Sequence, residues 1–268
     1  MQQLAEAVTT RVAMVTGATG AIGKAIARQI AARPGFEVVL ACRDEARADQ
    51  AVREIVRATG NSRVRFELVD VSRRSSVEAL AARWHGPIHV LVNNAAVTPR
   101  RRQETPEGVE LQFATNVLGY FWMVQALAES LKGAAPARVV NVASYWAGGL
   151  DLTDLQFTRR PYDNNQAYRQ SKQADRMLTV AFAGHLRSSG VTVNACHPGD
   201  VRSALSGNLG FGGSQTPDEG ARTPMWLATE PTGGEVTGRY FEHLKEVPCP
   251  YGADQAAVER LYRTCARL

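Results

Sequence analysis

The sequence predicts an α/β protein built on a doubly wound parallel sheet, and three observations carry that expectation. Short runs rich in valine and isoleucine alternate with segments of helical period along most of the 268 residues. The runs are continuous, as in Val38-Val39-Leu40-Ala41-Cys42, which marks strands covered on both faces. A glycine-rich turn, from Gly17 to Gly23, leads from the first run into the first helical segment. A Rossmann-type sheet of about seven strands with helices on both faces satisfies all three.

In chain order, a strand over residues 11–16 precedes the glycine turn and a helix over 21–32 follows it. The apolar run at 37–42 is the second strand, and residues 44–59 form the second helix, with Gly60 as a left-handed cap. Strand 63–69 and helix 75–84 come next, then strand 88–93 and one long helix over 106–131 capped by Gly133. A fifth strand at 137–143 leads to a second long helix at 162–189, capped by Gly190. Strand 191–197, helix 217–229, strand 238–241 and a terminal helix at 254–267 complete the pattern. No repeat or low-complexity stretch interrupts it, so residues 1–268 are expected to form a single domain. The irregular segments 145–161 and 200–217 each follow a strand, at the sheet edge where ligands bind in this architecture.

A hydrophobic fraction of 44% and a charged fraction of 21% are ordinary for a soluble globular protein. No run of about 18 apolar residues predicts a membrane-spanning helix. The N-terminal segment lacks the basic and apolar regions of a secretory signal. Cys42, Cys196, Cys249 and Cys265 include no C-x-x-C pair, and the five histidines include no H-E-x-x-H spacing. The expectation is therefore no metal site and a reducing, cytoplasmic setting. The net charge of +5 is scattered through helices, and its tightest run, Arg100-Arg101-Arg102, has no interleaved aromatics. An anionic small molecule, rather than nucleic acid, is the partner this charge suits.

The turn Gly17-Ala18-Thr19-Gly20-Ala21-Ile22-Gly23 lets the backbone approach a pyrophosphate at a helix N-terminus. A ribose-binding carboxylate for NAD is expected about 20 residues further on. Cys42 and Arg43 stand there instead, and a guanidinium suits the 2′-phosphate of NADP(H). Asp70, followed by Val71 after the third strand, either accepts a bond from the adenine amino group or caps the next turn. Asn94 and Ala95 end the fourth strand, where small residues leave room for the cofactor.

Tyr168 and Lys172, four apart in the second long helix, share one face. A nearby ammonium favours phenolate, which suits Tyr168 to act as acid for a developing alkoxide or base for an alcohol. Ser144 ends the fifth strand, where its hydroxyl can bond the substrate oxygen. Asn116 is a polar residue on an apolar helical face and needs a partner, a proton-relay water being one option. Pro198-Gly199 follows the sixth strand as a fixed turn near the nicotinamide. Residues 200–217 are expected to be a mobile cover, with Leu209 and Phe211 as its apolar lining.

Together these residues resemble the short-chain dehydrogenase/reductase family over nearly the whole chain. The resemblance implies a catalytic tetrad of Asn116, Ser144, Tyr168 and Lys172, with the lysine also contacting the nicotinamide ribose. It implies that Pro198, Val201 and Ser203 form the cofactor segment Pro-Gly-x-Val-x-Thr, with serine for threonine. Ala41-Cys42-Arg43-Asp44 and Asn116-Val117-Leu118-Gly119 are most similar to the retinol dehydrogenase and protochlorophyllide reductase branch. Two positions depart from the family: Ala21 stands where its middle glycine would be, and Ala96 replaces the glycine after Asn-Asn-Ala. The spacing Gly17, Gly20, Gly23 is that of extended, epimerase-like relatives, which usually carry a separate C-terminal substrate domain. The implied activity is NADP(H)-dependent hydride transfer between a carbonyl and an alcohol. The alternatives are a non-catalytic NADP(H)-binding regulatory protein and an extended-type epimerase or dehydratase. A homo-oligomer is compatible with the resemblance.

Overall fold

The computed structural model describes residues 10–268; residues 1–9, considered above for a secretory signal, lie outside it. The first half of the fold is β1 (Arg11–Thr16), α1 (Ala21–Ala31), β2 (Phe36–Cys42), α2 (Glu45–Thr59), β3 (Val64–Leu68), α3 (Arg74–Arg83) and β4 (Val90–Asn93). A π-helical turn (Phe113–Leu118) then runs into α4 (Gly119–Ala126) and α5 (Ala128–Lys132). After these come β5 (Ala137–Val142), α6 (Asn164–His185) and β6 (Val191–His197), then α7 (Ala204–Asn208), α8 (Pro217–Gly220) and α9 (Arg222–Thr229). β7 (Tyr240–Glu242), β8 (Lys245–Glu246) and α10 (Gln255–Arg267) close the chain.

The strands lie in one sheet in the order β3-β2-β1-β4-β5-β6-β7-β8. All pairs are parallel except β7 with β8. The chain builds outward from β1 to β3, then crosses back to place β4 on the other side of β1. From the C-terminal ends of β1 and β4 the chain leaves toward opposite faces of the sheet, and this switch point is where such sheets bind ligands.

Neighbouring residues of one strand feed opposite faces, as the pleat requires. Val39, Leu91 and Val139 pack with Leu80, Phe121, Met177 and Leu261 beneath α3, α4, α6 and α10. Val38, Leu40 and Val92 pack with Ile26, Ile30, Ile55 and Leu227 beneath α1, α2 and α9. Each fully buried leucine or isoleucine contributes about 1.5–3 kcal/mol, so both layers hold the sheet strongly.

The doubly wound sheet is as expected, with eight strands because a short β8 pairs back on β7. The long helix expected over 106–131 is not continuous. Gly108 adopts φ +77, the Glu110 side chain accepts from the N–H groups of Gln112 and Phe113, and helical structure begins only there. The π turn follows, and Leu127 (φ −102, ψ 12) separates α4 from α5. Gly133 is right-handed (φ −66) and is no left-handed cap, whereas Gly60 (φ 71) is one. α6 ends at His185, so Gly190 (φ 72) serves the turn into β6 instead. The helix expected at 217–229 is divided at Ala221 into α8 and α9. Segment 200–217 is not irregular throughout, since α7 forms there with a reciprocal cap between Ser203 and Ser206.

Candidate active site

Between the ends of β1 and β4 lies a cleft of about 290 Å³. Gly17 sits at φ +64, and a Cβ there would stand 2.8 Å from the Ala95 Cα. At Gly23 a Cβ would lie 2.5 Å from both Asn94 Nδ2 and the Gly17 carbonyl. Gly20 is different: it is the N-cap of α1 with φ −83, a conformation open to any residue. Thr16 ties the two strand ends together. Its Oγ1 accepts from the N–H groups of Asn94 and Ala95 at 2.9 and 3.1 Å, while Asn94 Nδ2 donates to the Thr16 carbonyl at 2.9 Å. The turn thus points the α1 N-terminus, which has no acidic residue in its first turn, into the cleft.

Gly17, Thr19, Gly20, Ala21, Ile22 and Gly23 all line this cleft, as do Arg43, Asp70, Val71, Asn94, Ala95 and Ser203. Arg47, which sequence reasoning missed, lines it beside Arg43 and donates from Nη2 to the Thr19 carbonyl at 3.4 Å. Its position four residues after Arg43, in the first turn of α2, was the available signal. Among the described residues Asp70 is the only carboxylate on the wall, and its Oδ1 accepts from the Ser72 N–H and hydroxyl at 3.0 and 2.7 Å. That carboxylate oxygen therefore shapes the local turn. A pyrophosphate-bearing, phosphate-rich dinucleotide fits this donor set: two guanidiniums, a helix N-terminus and two positions where only hydrogen leaves room.

A second, smaller cavity of about 60 Å³ adjoins the cleft, and Ile22, Ser203 and Leu205 line both. Ser144, Tyr168, Pro198 and Val201 face it. The Ser144 hydroxyl accepts from the Trp146 N–H at 3.1 Å and bonds to the Tyr168 phenol across the cavity that both line. Burial pushes the Tyr168 phenol up, while Lys172 and Ser144 pull it down.

Lys172 and Asn116 stand behind these two residues and line neither cavity. Lys172 Nζ donates to the Val142 carbonyl at 3.0 Å and to Asp175 at 2.9 Å, and lies 5.9 Å from the Tyr168 ring centre. Burial would lower its pKa, but Asp175 and the two neighbouring tyrosines outweigh that and raise it. Asn116, in the π turn, spends its amide on protein atoms: Val97 N–H and carbonyl, and the Ser171 hydroxyl at 3.2 Å. Its side chain is thus a clamp on the cleft wall, with no contact to Lys172 in the structure.

Three further residues escaped the sequence. His197, at the end of β6, faces the small cavity, with burial and then His243 and Arg176 lowering its pKa to about 4. Tyr145 packs edge-on against it at 4.7 Å, and Trp146 contacts Phe211 at 5.1 Å. Phe211 lines the cavity as expected, whereas Leu209 is buried and does not.

A family model described as short chain dehydrogenase matches residues 11–210. The chain belongs to the short chain dehydrogenase family. This oxidoreductase is 36% identical to retinol dehydrogenase 13 of Mus musculus, across 95% of this chain and 82% of that protein. It falls in the retinol dehydrogenase-like branch of the family. Among solved structures, an uncharacterised protein from Mycobacterium Paratuberculosis superposes with a TM-score of 0.81 at 26% identity, covering 97% of this chain and 94% of that one. A variant of actinorhodin polyketide ketoreductase, solved with NADPH, has a TM-score of 0.67 at 26% identity, covering 87% and 95%. In this short chain dehydrogenase β7 and β8, which lie after residue 210, join the same sheet. Among the described residues no helix is long and apolar enough to cross a membrane.

Proposed function

We propose that this chain is an NADP(H)-dependent oxidoreductase that interconverts a carbonyl and an alcohol, with Tyr168 as general acid and base. One observation carries the reading: the arginine-lined cleft and the cavity holding Ser144 and Tyr168 share Ile22, Ser203 and Leu205 as common wall. A cofactor lying along the cleft with its 2′-phosphate toward Arg43 and Arg47 would bring its reactive end to that shared wall. Gly17, Thr19, Gly20, Ala21, Ile22 and Gly23 would hold the pyrophosphate, Asp70 and Val71 the adenine end, and Asn94 and Ala95 the middle. Pro198, Val201 and Ser203 would border the nicotinamide.

Bound NADP(H) supplies or accepts the hydride. The chain's own residues handle the oxygen. Ser144 keeps its proton and donates a hydrogen bond to the substrate oxygen, fixing it beside Tyr168. In reduction the Tyr168 O–H bond breaks as the new alcohol O–H bond forms, and the phenolate is left next to the Lys172 cation. Solvent then returns the proton; oxidation runs the same steps backwards. Asn116 acts at a distance, by clamping Val97 on the cleft wall. Tyr145, Trp146 and Phe211 favour an apolar group beside the carbonyl. Buried thiols at Cys42, Cys196 and Cys265 support the cytoplasm as the setting.

The test is a panel of carbonyls and alcohols followed by nicotinamide absorbance, with Tyr168→Phe alongside. Turnover should fall by about 10²–10⁴-fold with NADPH affinity kept. Retained turnover in Tyr168→Phe on the best substrate would overturn the assignment.

A further inference from the structure

One ion pair among the described residues is enclosed on both sides: Lys172 Nζ to Asp175 Oδ2 at 2.9 Å, with the side chains 3% and 0% exposed. The proton chemistry above uses the lysine and leaves Asp175 without a task. Burying a carboxylate costs several kcal/mol, so its presence one helical turn beyond Lys172 calls for a role.

The surroundings define that role. Lys172 is faced by the Val142 carbonyl at 3.0 Å, by the Tyr120 ring of α4 at 5.1 Å and by the Tyr168 ring at 5.9 Å. The Cys196 thiol of β6 lies near the lysine and the Cys265 thiol of α10 near Asp175. Asp175 is the one carboxylate in this group, and its Oδ1 has no hydrogen-bond partner. Burial pushes the Asp175 carboxyl up and the Lys172 ammonium pulls it back down, so the lysine is the cation that holds its charge. The segment is also pinned to the sheet. Thr179 Oγ1 donates to the Asp175 carbonyl and accepts from Asn141 Nδ2, and Asn141 Oδ1 accepts from Asn93.

We propose that Asp175 is a positioning residue acting through Lys172: a built-in counter-ion that anchors the ammonium beneath β5 and cancels part of its field at Tyr168. The inference rests on the acid/base reading of Tyr168 above. An isolated ammonium at this distance draws the phenol toward phenolate, and a carboxylate behind it opposes that pull. The phenol then keeps its proton until a substrate oxygen takes it. The site is set as a proton donor at neutral pH, for carbonyl reduction, and needs a higher pH to run as a base.

The test is the ionisation of Tyr168, read as tyrosinate absorbance against pH in the full chain. Subtracting the same titration in Tyr168→Phe isolates the one phenol. Asp175→Asn keeps the size and an acceptor for Nζ but removes the charge, and the Tyr168 midpoint should fall by about one unit or more. An unchanged or higher midpoint overturns the proposal. Asp175→Glu retains the charge and should retain the parent midpoint; an equal fall in that variant assigns the effect to packing and also overturns it. Should Asp175→Asn fail to fold, the unsubstituted protein still decides. The ¹⁵N resonance of Lys172, assigned with Lys172→Arg, should stay that of an ammonium past about pH 10.4, where free lysines titrate; a neutral amine below that pH overturns the proposal. None of these readouts needs a substrate, so their failure leaves the Tyr168 assignment standing, and that assignment falls only with retained turnover in Tyr168→Phe.

Discussion

Asn116 holds both polar groups of Val97, its Oδ1 accepting from the N–H at 2.9 Å and its Nδ2 donating to the carbonyl at 3.1 Å. Val97 lines the cofactor cleft, so a fully buried amide in the π turn sets the position of a cleft wall. Asn116→Leu keeps the volume and strands those backbone groups. We expect a stability loss of about 1–3 kcal/mol by urea denaturation, together with weaker NADPH binding by titration. Equal stability and equal affinity would remove the clamp from the account.

The glycines of the turn are not equivalent. Gly23→Ala forces a Cβ to 2.5 Å from a backbone carbonyl and the Asn94 amide, so NADPH binding should be lost or the fold weakened. Gly20→Ala meets its nearest neighbour, the Gly17 carbonyl, at 3.3 Å with an ordinary φ, and should bind nearly as well as the parent. Fluorescence titration of the two variants with NADPH separates them. The reverse order of affinities would show that the turn is misplaced.

Cofactor choice should follow the two guanidiniums. Arg43→Ala and Arg47→Ala should each weaken NADPH by about tenfold or more, since a charge-assisted bond contributes about 1.5–3 kcal/mol. NADH should change little, and Arg43→Asp should hurt NADPH most because it adds repulsion. Dissociation constants for both cofactors at two salt concentrations test this. Parallel losses for NADPH and NADH would sink it.

His197 ties stability to pH. Burial, with His243 and Arg176 adding to it, lowers its pKa to about 4 in the folded chain, against about 6.5 unfolded. Between these values the unfolded state binds the proton and the folded state does not. Stability is therefore fully present above about pH 6.5 and is lost as pH falls toward 4, by up to about 3 kcal/mol. His197→Gln should flatten that part of the profile in denaturation experiments run across the window. An identical pH dependence in parent and variant would exclude His197 as its source.

The architecture was legible because its signals are local. Continuous apolar runs, the helical period and the glycines at 17, 20 and 23 depend on residues a few positions apart, as does the Tyr168–Lys172 spacing. Each of these maps onto the observed fold, and the family follows from them. The failures have two origins, local caps and turns that override helical composition and contacts over long sequence separations. Residues 106–131 have helical composition, yet Glu110 capping Gln112 and Phe113 delays the helix, and the π turn brings Asn116 onto Val97, 19 residues away. Gly133 looked like a left-handed cap, but the chain turns into β5 with φ −66. Arg47 reaches the cleft only because α1 and α2 converge beside Thr19, and His197 loses its charge only because the sheet buries it. Local sequence patterns are enough to specify a parallel sheet, the glycine turn that opens its first helix and the chemical types of the site residues. Tertiary structure decided which of them face a cavity and which stand behind it, because desolvation and pairing energies arise only when distant segments exclude water together.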